Sequence, residues 1–394
     1  MRVLLSGYTY TRENLFEVFE SYPEKENLYF ILPSNWKEKG GKVAYRPFKK
    51  EGFNIYHSRA FFFHSKYPLV GGLFKGWMPF FVFKLIWLRF SKKVDILYTT
   101  GEPNLLGTLY NAIWARILGM KHMFNFWENI PYEEKDCGLK LFFKKAIIRA
   151  NVALSHGALC GQTKAEKILK GFSSRIIIGQ FLHAGFNEDR FKPNLEPKLR
   201  KQLGLEGKFI FLFVGALGYR KGVHLAMRAL AELRKERDDL HFVIVGSGEY
   251  EAELKKEATD LAITDLVTFI PWMANYDLPA VFNSADAFLY PSLPHQGWEE
   301  QFGYSIAEAS LCELPVISTK TGGIDEALLD GETGIMVKPN DVSELKKAME
   351  KVIIDGNFRR ALGQRGRRFI IEKYSNKVIA QKIYSLFQKV YGSK

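Results

Sequence analysis

The feature that most constrains this chain is an alternation, over residues 209–319, of short apolar runs with segments of helical spacing. FIFLFVGAL (209–217) is continuously apolar, as a strand buried on both faces of a parallel sheet must be. GVHLAMRALAELRKE follows with helical spacing, then HFVIVGSG (241–248) and the helical EYEAELKKEATDLA. LVTFI (266–270), a short helix LPAVFNSA, AFLYPS (287–292), a helix over about 303–312 and PVIST (315–319) continue the pattern. Right-handed crossovers between such units predict an α/β fold with a doubly wound parallel sheet. The first half begins likewise: RVLLSG (2–7), NLYFILP (27–33), DILYTT (95–100), KHMFNFW (121–127) and NVALS (151–155) read as strands. The segment 40–75, rich in Gly, Phe and Lys, resists the same reading.

At roughly 150 residues per domain, 394 residues predict two domains or three. The polar stretch 192–208, with two prolines, reads as a linker. It separates a domain over 1–190 from one over 191–375, with an amphipathic helix about 376–394 that can pack back on the first. Three widely spaced cysteines, Cys137, Cys160 and Cys312, make no disulfide framework and suit a reducing compartment. The start of the chain does not read as a signal peptide, and no apolar run reaches the roughly 18 residues of a membrane span.

The charge is uneven. Residues 1–190 hold 28 Lys+Arg against 16 Asp+Glu, most of the chain's net +13. Within them, 37–93 carry 13 basic and two acidic side chains among 15 aromatics. Such a surface meets an anionic lipid leaflet or a nucleic acid, unless it is a solvated basic face over an aromatic core. Phe and Trp favour lipid, and nothing in 37–93 resembles a nucleic-acid module, so no nucleic-acid partner is expected. The helix expected near 74–91 either packs in the core or lies partly in a bilayer interface.

No P-loop, HExxH, CxxC or GxSxG motif is present, and the eight histidines lack metal-ligand spacing. No Asp-x-Asp pair occurs either, so no metal and no other cofactor are expected; a bound diphosphate would be met by cations and backbone N–H groups. GALGYRKG (215–222) follows a strand and precedes a helix, placing Arg220 and Lys221 where the helix dipole disfavours cations. A phosphate is the natural compensation, a solvated turn the alternative. VGSGEYE (245–251) offers Gly246 and Gly248 after a strand but lacks the third glycine of a dinucleotide fingerprint. Glu300 and Glu308 are eight residues apart, roughly 12 Å at helical rise, about the reach from ribose to hexose in a nucleotide sugar. Free N–H groups near Phe302, Gly303, Tyr304 and Ser305 lie between them, although a carboxylate pair on one helix is usually a solvated face.

The ordered set VGALGYRKG, VIVGSG, ADAFLYPS, EQFGYSIAEA, LPVISTKTGGIDE and DGETGIMVKPND, from about 209 to 370, resembles the retaining, group 1 type (family 4) glycosyltransferases of GT-B fold. GFNEDRFKP (185–193) is similar to the family's entry into the second domain. The resemblance implies two Rossmann-like domains facing a cleft, the acceptor mainly on the first and a nucleotide-diphosphate sugar mainly on the second. It implies that Arg220 and Lys221 neutralise the diphosphate, Glu300 contacts the donor sugar and Glu308 the ribose hydroxyls. Phe302, Gly303, Tyr304 and Ser305, with Gly215, Gly246 and Gly248, complete the donor site. It also implies attack from the leaving-group side, a donor phosphate oxygen assisting deprotonation. The expected activity is metal-independent, retaining hexosyl transfer to a sugar or lipid-linked acceptor. It would belong to glycan or glycolipid biosynthesis in the cytoplasm, peripheral on the inner face of the cell membrane.

The departures lie mostly in the first half. Ala216 stands where family members often carry arginine, SGYTYTREN (6–14) replaces a Gly-Gly loop, and FNFWENIP (124–131) replaces a strand-terminal histidine. Trp127 and Glu128 fall near that place, and Glu102 follows another strand. Glu102 and Trp127 are read as acceptor-binding and Glu128 as a catalytic carboxylate, with helix caps or ordinary ion-pair partners as the alternative. A sugar phosphorylase, a nucleotide-sugar epimerase and a non-catalytic sugar-nucleotide-binding protein are the rival functions. Replacing Glu300 or Lys221 by alanine is expected to abolish transfer and leave the fold intact.

Overall fold

Apolar runs without polar alternation can be buried only in a sheet covered on both faces, and they form the central strands. The computed structural model describes residues 1–36, 47–63 and 72–393. The chain divides into two units, Met1–Gly185 with Asn376–Lys394, and Phe186–Ser375.

In the first unit the described strands are β1 (Val3–Ser6), β2 (Leu28–Pro33), β3 (Asn54–Ser58), β4 (Ile96–Thr99), β5 (Lys121–Phe126), β6 (Gly157–Cys160) and β7 (Ile177–Gln180). They pair in parallel in the order β3-β2-β1-β4-β5-β6-β7. Val3 registers with Leu28 on one side and Ile96 on the other, so the order reverses between β1 and β4. The helices Phe81–Lys92 and Leu106–Ile117 cover one face, burying Phe81, Leu85, Leu88 and Ala115 beside Leu4 and Leu97. The helix Asn376–Tyr391 belongs to this unit and buries Ile379, Ile383, Leu386, Phe387 and Val390. Its Tyr384 hydroxyl donates to Glu24 Oε1 at 2.6 Å, and Phe387 packs edge-on against Tyr98 at 5.5 Å.

In the second unit β8 (Phe209–Val214), β9 (Leu240–Val245), β10 (Val267–Ile270), β11 (Ala287–Tyr290), β12 (Val316–Thr319) and β13 (Ile335–Val337) form a parallel sheet. Its order is β10-β9-β8-β11-β12-β13, reversing between β8 and β11. Both sheets are doubly wound and Rossmann-like.

Two expectations need correction. NVALS (151–155) is not a strand. It ends the helix Gly138–Leu154, where Ile148 and Val152 share the buried face one turn apart and Asn151 Nδ2 donates to the Pro103 carbonyl at 2.7 Å. The strand is the next segment, Gly157–Cys160, after a turn at Ser155 and His156. The stretch 192–208 is not a free linker but part of the second unit. It holds the helix Lys198–Gln202, and Arg200 bonds Asp286 Oδ2 at 2.7 Å, the oxygen that also accepts the Ile210 N–H. Two prolines marked an irregular backbone there, and side-chain anchoring keeps it folded.

Phe387→Ala is expected to destabilise the protein by about 3–5 kcal/mol, the usual cost of emptying a fully buried aromatic site. Chemical denaturation checks this, and an unchanged midpoint would contradict the packing described.

Candidate functional site

In doubly wound sheets ligands bind outside the carboxyl ends of the strands, where the strand order reverses. In the second unit that place lies between β8 and β11. The chain leaves β8, makes the tight turn Tyr219–Lys221 and enters the helix Val223–Arg234. Gly222 joins turn to helix at φ +67°, and a Cβ there would fall 1.9 Å from the Pro291 carbonyl oxygen. Only glycine lets the β8 turn close on the β11 loop, and that closure carries Lys221 to Glu300.

Lys221 Nζ donates to Glu300 Oε2 and to the Tyr290 hydroxyl, each at 2.5 Å. The Tyr290 hydroxyl in turn donates to Glu300 Oε2 at 2.8 Å, and Ser292 Oγ donates to it at 3.3 Å. Lys221 and Glu300 are both 7% exposed. Burial alone would raise the Glu300 carboxyl, but the Lys221 ammonium and the Tyr290 hydroxyl outweigh it and hold it below its ordinary value. Burial acts on Lys221 as well and lowers its pKa, against the Glu300 carboxylate that favours the ammonium. The neighbouring Arg220 guanidinium lies 3.5 Å from the Trp298 ring centroid, and its Nη1 is buried without a hydrogen-bond partner. Among the described residues Arg220 is in no ion pair. Its charge is available to a ligand, whereas that of Lys221 is already shared.

Glu308 lies in the helix Tyr304–Leu311, which starts without a side-chain cap. It is 8% exposed and accepts from Asn275 Nδ2 at 2.7 Å, and burial pushes its carboxyl up to about 7. Glu300 lies four residues before that helix, so the helical rise used to space the two carboxylates does not apply; only Glu308 is helical. Gly303 precedes the helix, and the backbone of Tyr304 and Ser305 opens its first turn. The Phe302 side chain is core, 1% exposed and packed edge-on against Tyr374 at 5.0 Å. Gly246 approaches the β8 loop so closely that a Cβ would fall 1.8 Å from the Gly215 carbonyl oxygen. Gly248 lies in the same turn, against Leu217.

The other candidates lie in the first unit. Glu102 follows β4 and Trp127 follows β5; Glu102 Oε1 accepts the Trp127 N–H at 2.9 Å. Burial raises the Glu102 carboxyl to about 8, and Oε2 has no hydrogen-bond partner. Glu128 instead pairs with Lys135 at 2.5 Å, half-buried. Sequence reasoning missed several members: Tyr290, Ser292 and Trp298 around the buried pair, Asn275 beside Glu308, and His183, whose ring meets Trp127 edge-on at 4.8 Å. Tyr290 and Ser292 stood inside quoted runs, but no spacing rule singles out a tyrosine that ends a strand. Among the described residues no group of three or more His, Cys, Asp or Glu is placed to hold a metal ion.

Residues 196–369 match the family described as "Glycosyl transferases group 1". A GDP-mannose-dependent alpha-(1-6)-phosphatidylinositol monomannoside mannosyltransferase of Mycolicibacterium smegmatis is 32% identical over 199 residues, 50% of this chain and 52% of that protein. A D-inositol 3-phosphate glycosyltransferase of Arthrobacter sp. is 34% identical over 179 residues, 44% of this chain and 41% of that one. The chain thus spans about half the length of the curated relatives it matches. Among solved structures, Anabaena Alr3699/HepE in complex with UDP superposes with TM-score 0.76 at 19% identity, covering 99% of this chain and all of that one. Sucrose-phosphate synthase from Thermosynechococcus elongatus gives 0.75 at 18% identity, covering all of both chains. These two likenesses place the fold among GT-B structures.

Removing one member of the buried pair leaves the other charge unpaired, so the expectation of an intact fold is revised. Glu300→Ala is expected to cost about 3–5 kcal/mol in urea denaturation, and Lys221→Met/Glu300→Gln less than the sum of its single changes. Glu308 carries a pH signature. Its folded value of about 7 lies above the ordinary 4.5, so the folded state holds the proton more tightly. The resulting stability is complete below the ordinary value and is lost as pH rises through about 7. Glu308→Gln is expected to flatten the decline in stability between about pH 5 and pH 8, as thermal melts in parallel buffers would show.

Proposed function

We propose that this chain, a group 1 glycosyltransferase by its residues 196–369, transfers a hexose from a nucleotide-diphosphate sugar to a sugar or lipid-linked acceptor. The observation that carries the reading is the buried Lys221–Glu300–Tyr290 cluster beside the unpaired Arg220, at the reversal point of the second sheet. An arriving diphosphate meets Arg220 first and then draws on the Lys221 ammonium. As Lys221 turns to the phosphate, Glu300 is released to accept hydroxyls of the donor sugar, and Glu308 accepts from the ribose. Charge grows on the leaving diphosphate as the glycosidic bond breaks. Cations already held in place, and the uncapped start of the helix Tyr304–Leu311, therefore stabilise the transition state more than the ground state. Retention and independence of metal follow from the family resemblance. Glu102 and Trp127, at the strand ends of the first unit, are the acceptor-side groups. Glu128, tied to Lys135, serves as a carboxylate only if that pair opens.

The reading extends to a membrane face. The helix Phe81–Lys92 buries one apolar stripe, while a second, Phe83, Trp87 and Phe90, is 70, 48 and 72% exposed. The adjoining helices Leu106–Ile117 and Gly138–Leu154 expose Ile117, Leu139, Phe142 and Phe143. Together the three carry eight basic and no acidic residues. Lys140 and Lys144 pair with Asp136 and Lys145 with Glu133, just before the third helix; the exposed apolar side chains and the remaining cations suit an anionic leaflet. Of the 37–93 region, 37–46 and 64–71 lie outside the described residues, and Phe53 packs on Phe16, so lipid contact centres on these helices. Among the described residues no helix is long and apolar enough to cross a membrane. A nucleotide-sugar donor and these exposed apolar and basic side chains suit peripheral work at the cytoplasmic face.

The first test is thermal stabilisation by UDP, GDP, ADP, CMP and their sugars without added metal. One nucleotide diphosphate is expected to stabilise the protein, and Lys221→Ala to abolish that shift; no shift with any of them would overturn the donor site. GDP-mannose, used by the mycobacterial relative, and UDP-glucose, bound by HepE in another structure, are the first donors to try. Absolute dependence of turnover on inorganic phosphate would favour a phosphorylase instead. Vesicles containing phosphatidylglycerol are expected to sediment the protein, and Phe83→Ser/Phe90→Ser to weaken this about tenfold or more.

A further inference from the structure

Between β11 and Glu300 the chain makes a tight hairpin over His295–Trp298. Its end residues exchange backbone hydrogen bonds, the His295 N–H donating to the Trp298 carbonyl at 3.0 Å and the Trp298 N–H to the His295 carbonyl at 2.9 Å. The central Gln296 and Gly297 have φ +47° and +69°, the positive pair that a two-residue type I′ turn requires. So short a loop leaves its end residues little freedom, and both rest on the turn that follows β8. The His295 ring lies 5.0 Å from that of Tyr219, which stacks on His224 at 4.8 Å. The Trp298 ring carries the Arg220 guanidinium 3.5 Å from its centroid, with Lys221 Nζ at 5.3 Å. The same loop holds the Arg220 backbone, whose carbonyl accepts the Leu293 N–H at 2.7 Å and the Ser292 hydroxyl at 3.1 Å. Arg220 is thus fixed at both ends by residues 292–298.

At 3.5 Å the guanidinium lies flat on the indole, because a guanidinium standing on edge would drive a nitrogen into the ring. Such a contact uses the face of the group and none of its in-plane N–H donors. A carboxylate would fix an arginine equally well, but it would take up those donors and the charge. Here Nη1 is buried with no hydrogen-bond partner. An arginine free in water gives up its rotamer freedom on meeting a ligand; the ring has already taken it. The electron-rich indole face also offsets the repulsion between the adjacent Arg220 and Lys221, which both lie over it. We propose that Trp298 is a positioning residue of the second unit, holding Arg220 flat and preordered so that its in-plane N–H groups meet the diphosphate of the nucleotide sugar. Trp298 acts through Arg220 and not on the ligand. The proposal deepens the glycosyltransferase reading of this corner and rests on it.

Calorimetry on the full chain without added metal tests this with UDP, GDP and inorganic pyrophosphate against uridine and guanosine. Trp298→Leu keeps an apolar side chain but no ring face. It is expected to weaken pyrophosphate and whichever diphosphate binds about tenfold, and to leave the nucleosides unchanged. Trp298→Phe is expected to restore most of the loss. Arg220→Gln should lose at least as much as Trp298→Leu, and Trp298→Leu/Arg220→Gln no more than Arg220→Gln alone, since the ring acts through the guanidinium. A collapsed hairpin behaves otherwise: its losses extend to the nucleosides and add to those of Arg220→Gln, and either result overturns the inference. Wild-type or tighter binding of UDP and GDP by Trp298→Leu also overturns it, and the donor reading then stands if Lys221→Ala still abolishes their binding. Pyrophosphate binding that needs Arg220 and Trp298, with neither UDP nor GDP bound in preference to it, supports the positioning role and removes the donor reading. No binding of any of the three by the wild-type chain overturns both.

Discussion

The second unit is organised around one buried ion pair. Taking the Lys221 ammonium and the Glu300 carboxylate out of water is costly, and their attraction offsets the cost only if the remaining polar atoms are also met. The structure supplies them: Tyr290 from the end of β11 and Ser292 from its loop both donate to Glu300 Oε2. The Glu300 backbone is fixed as well, its carbonyl accepting the Gly323 N–H at 2.8 Å. Three loops that leave different strands thus meet at one residue, two at its carboxylate and one at its backbone carbonyl. A diphosphate bound as proposed would compete for the same lysine and so couple binding to the integrity of this corner.

The two sheets are built alike. Each reverses its strand order once, and near each reversal is a helix that starts without a side-chain cap. Parallel strands all end on the same side of the sheet, so their loops collect there and anion-binding groups can gather without any being adjacent in sequence. The carboxyls differ in state. Glu300 is held ionised by Lys221, while Glu102 and Glu308, which lack such a partner, are raised by burial.

Central strands were legible because continuous apolar runs have one stable location; FIFLFV and HFVIV have no other. The strands that escaped notice were short or at the margins: Asn54–Ser58, half-buried at an edge; Ile177–Gln180, interrupted by Gly179; and the three-residue Ile335–Val337. NVALS misled because its branched and apolar residues suit either period, and only packing of Ile148 and Val152 on the sheet decides for helix. Lys221, Glu300 and Glu308 stood inside motifs that the sequence shows, although the helical spacing of the two carboxylates does not hold because Glu300 precedes the helix. Tyr290, Trp298 and Asn275 were not legible, because each acts through a contact across 69, 78 or 33 residues of chain.

The sequence by itself determined the fold class, the alternation of strand and helix, the match of residues 196–369 to the group 1 glycosyltransferases and the residue types able to meet a diphosphate. Those follow from periodicity and motif order, which are properties of neighbouring residues. Only the tertiary structure decided which cation is free. Arg220 and Lys221 are adjacent and alike in sequence, yet one is spent on a carboxylate 79 residues away and the other is not. The free energy of a charge depends on burial and on its partners, and both are set by loops that the sheet brings together.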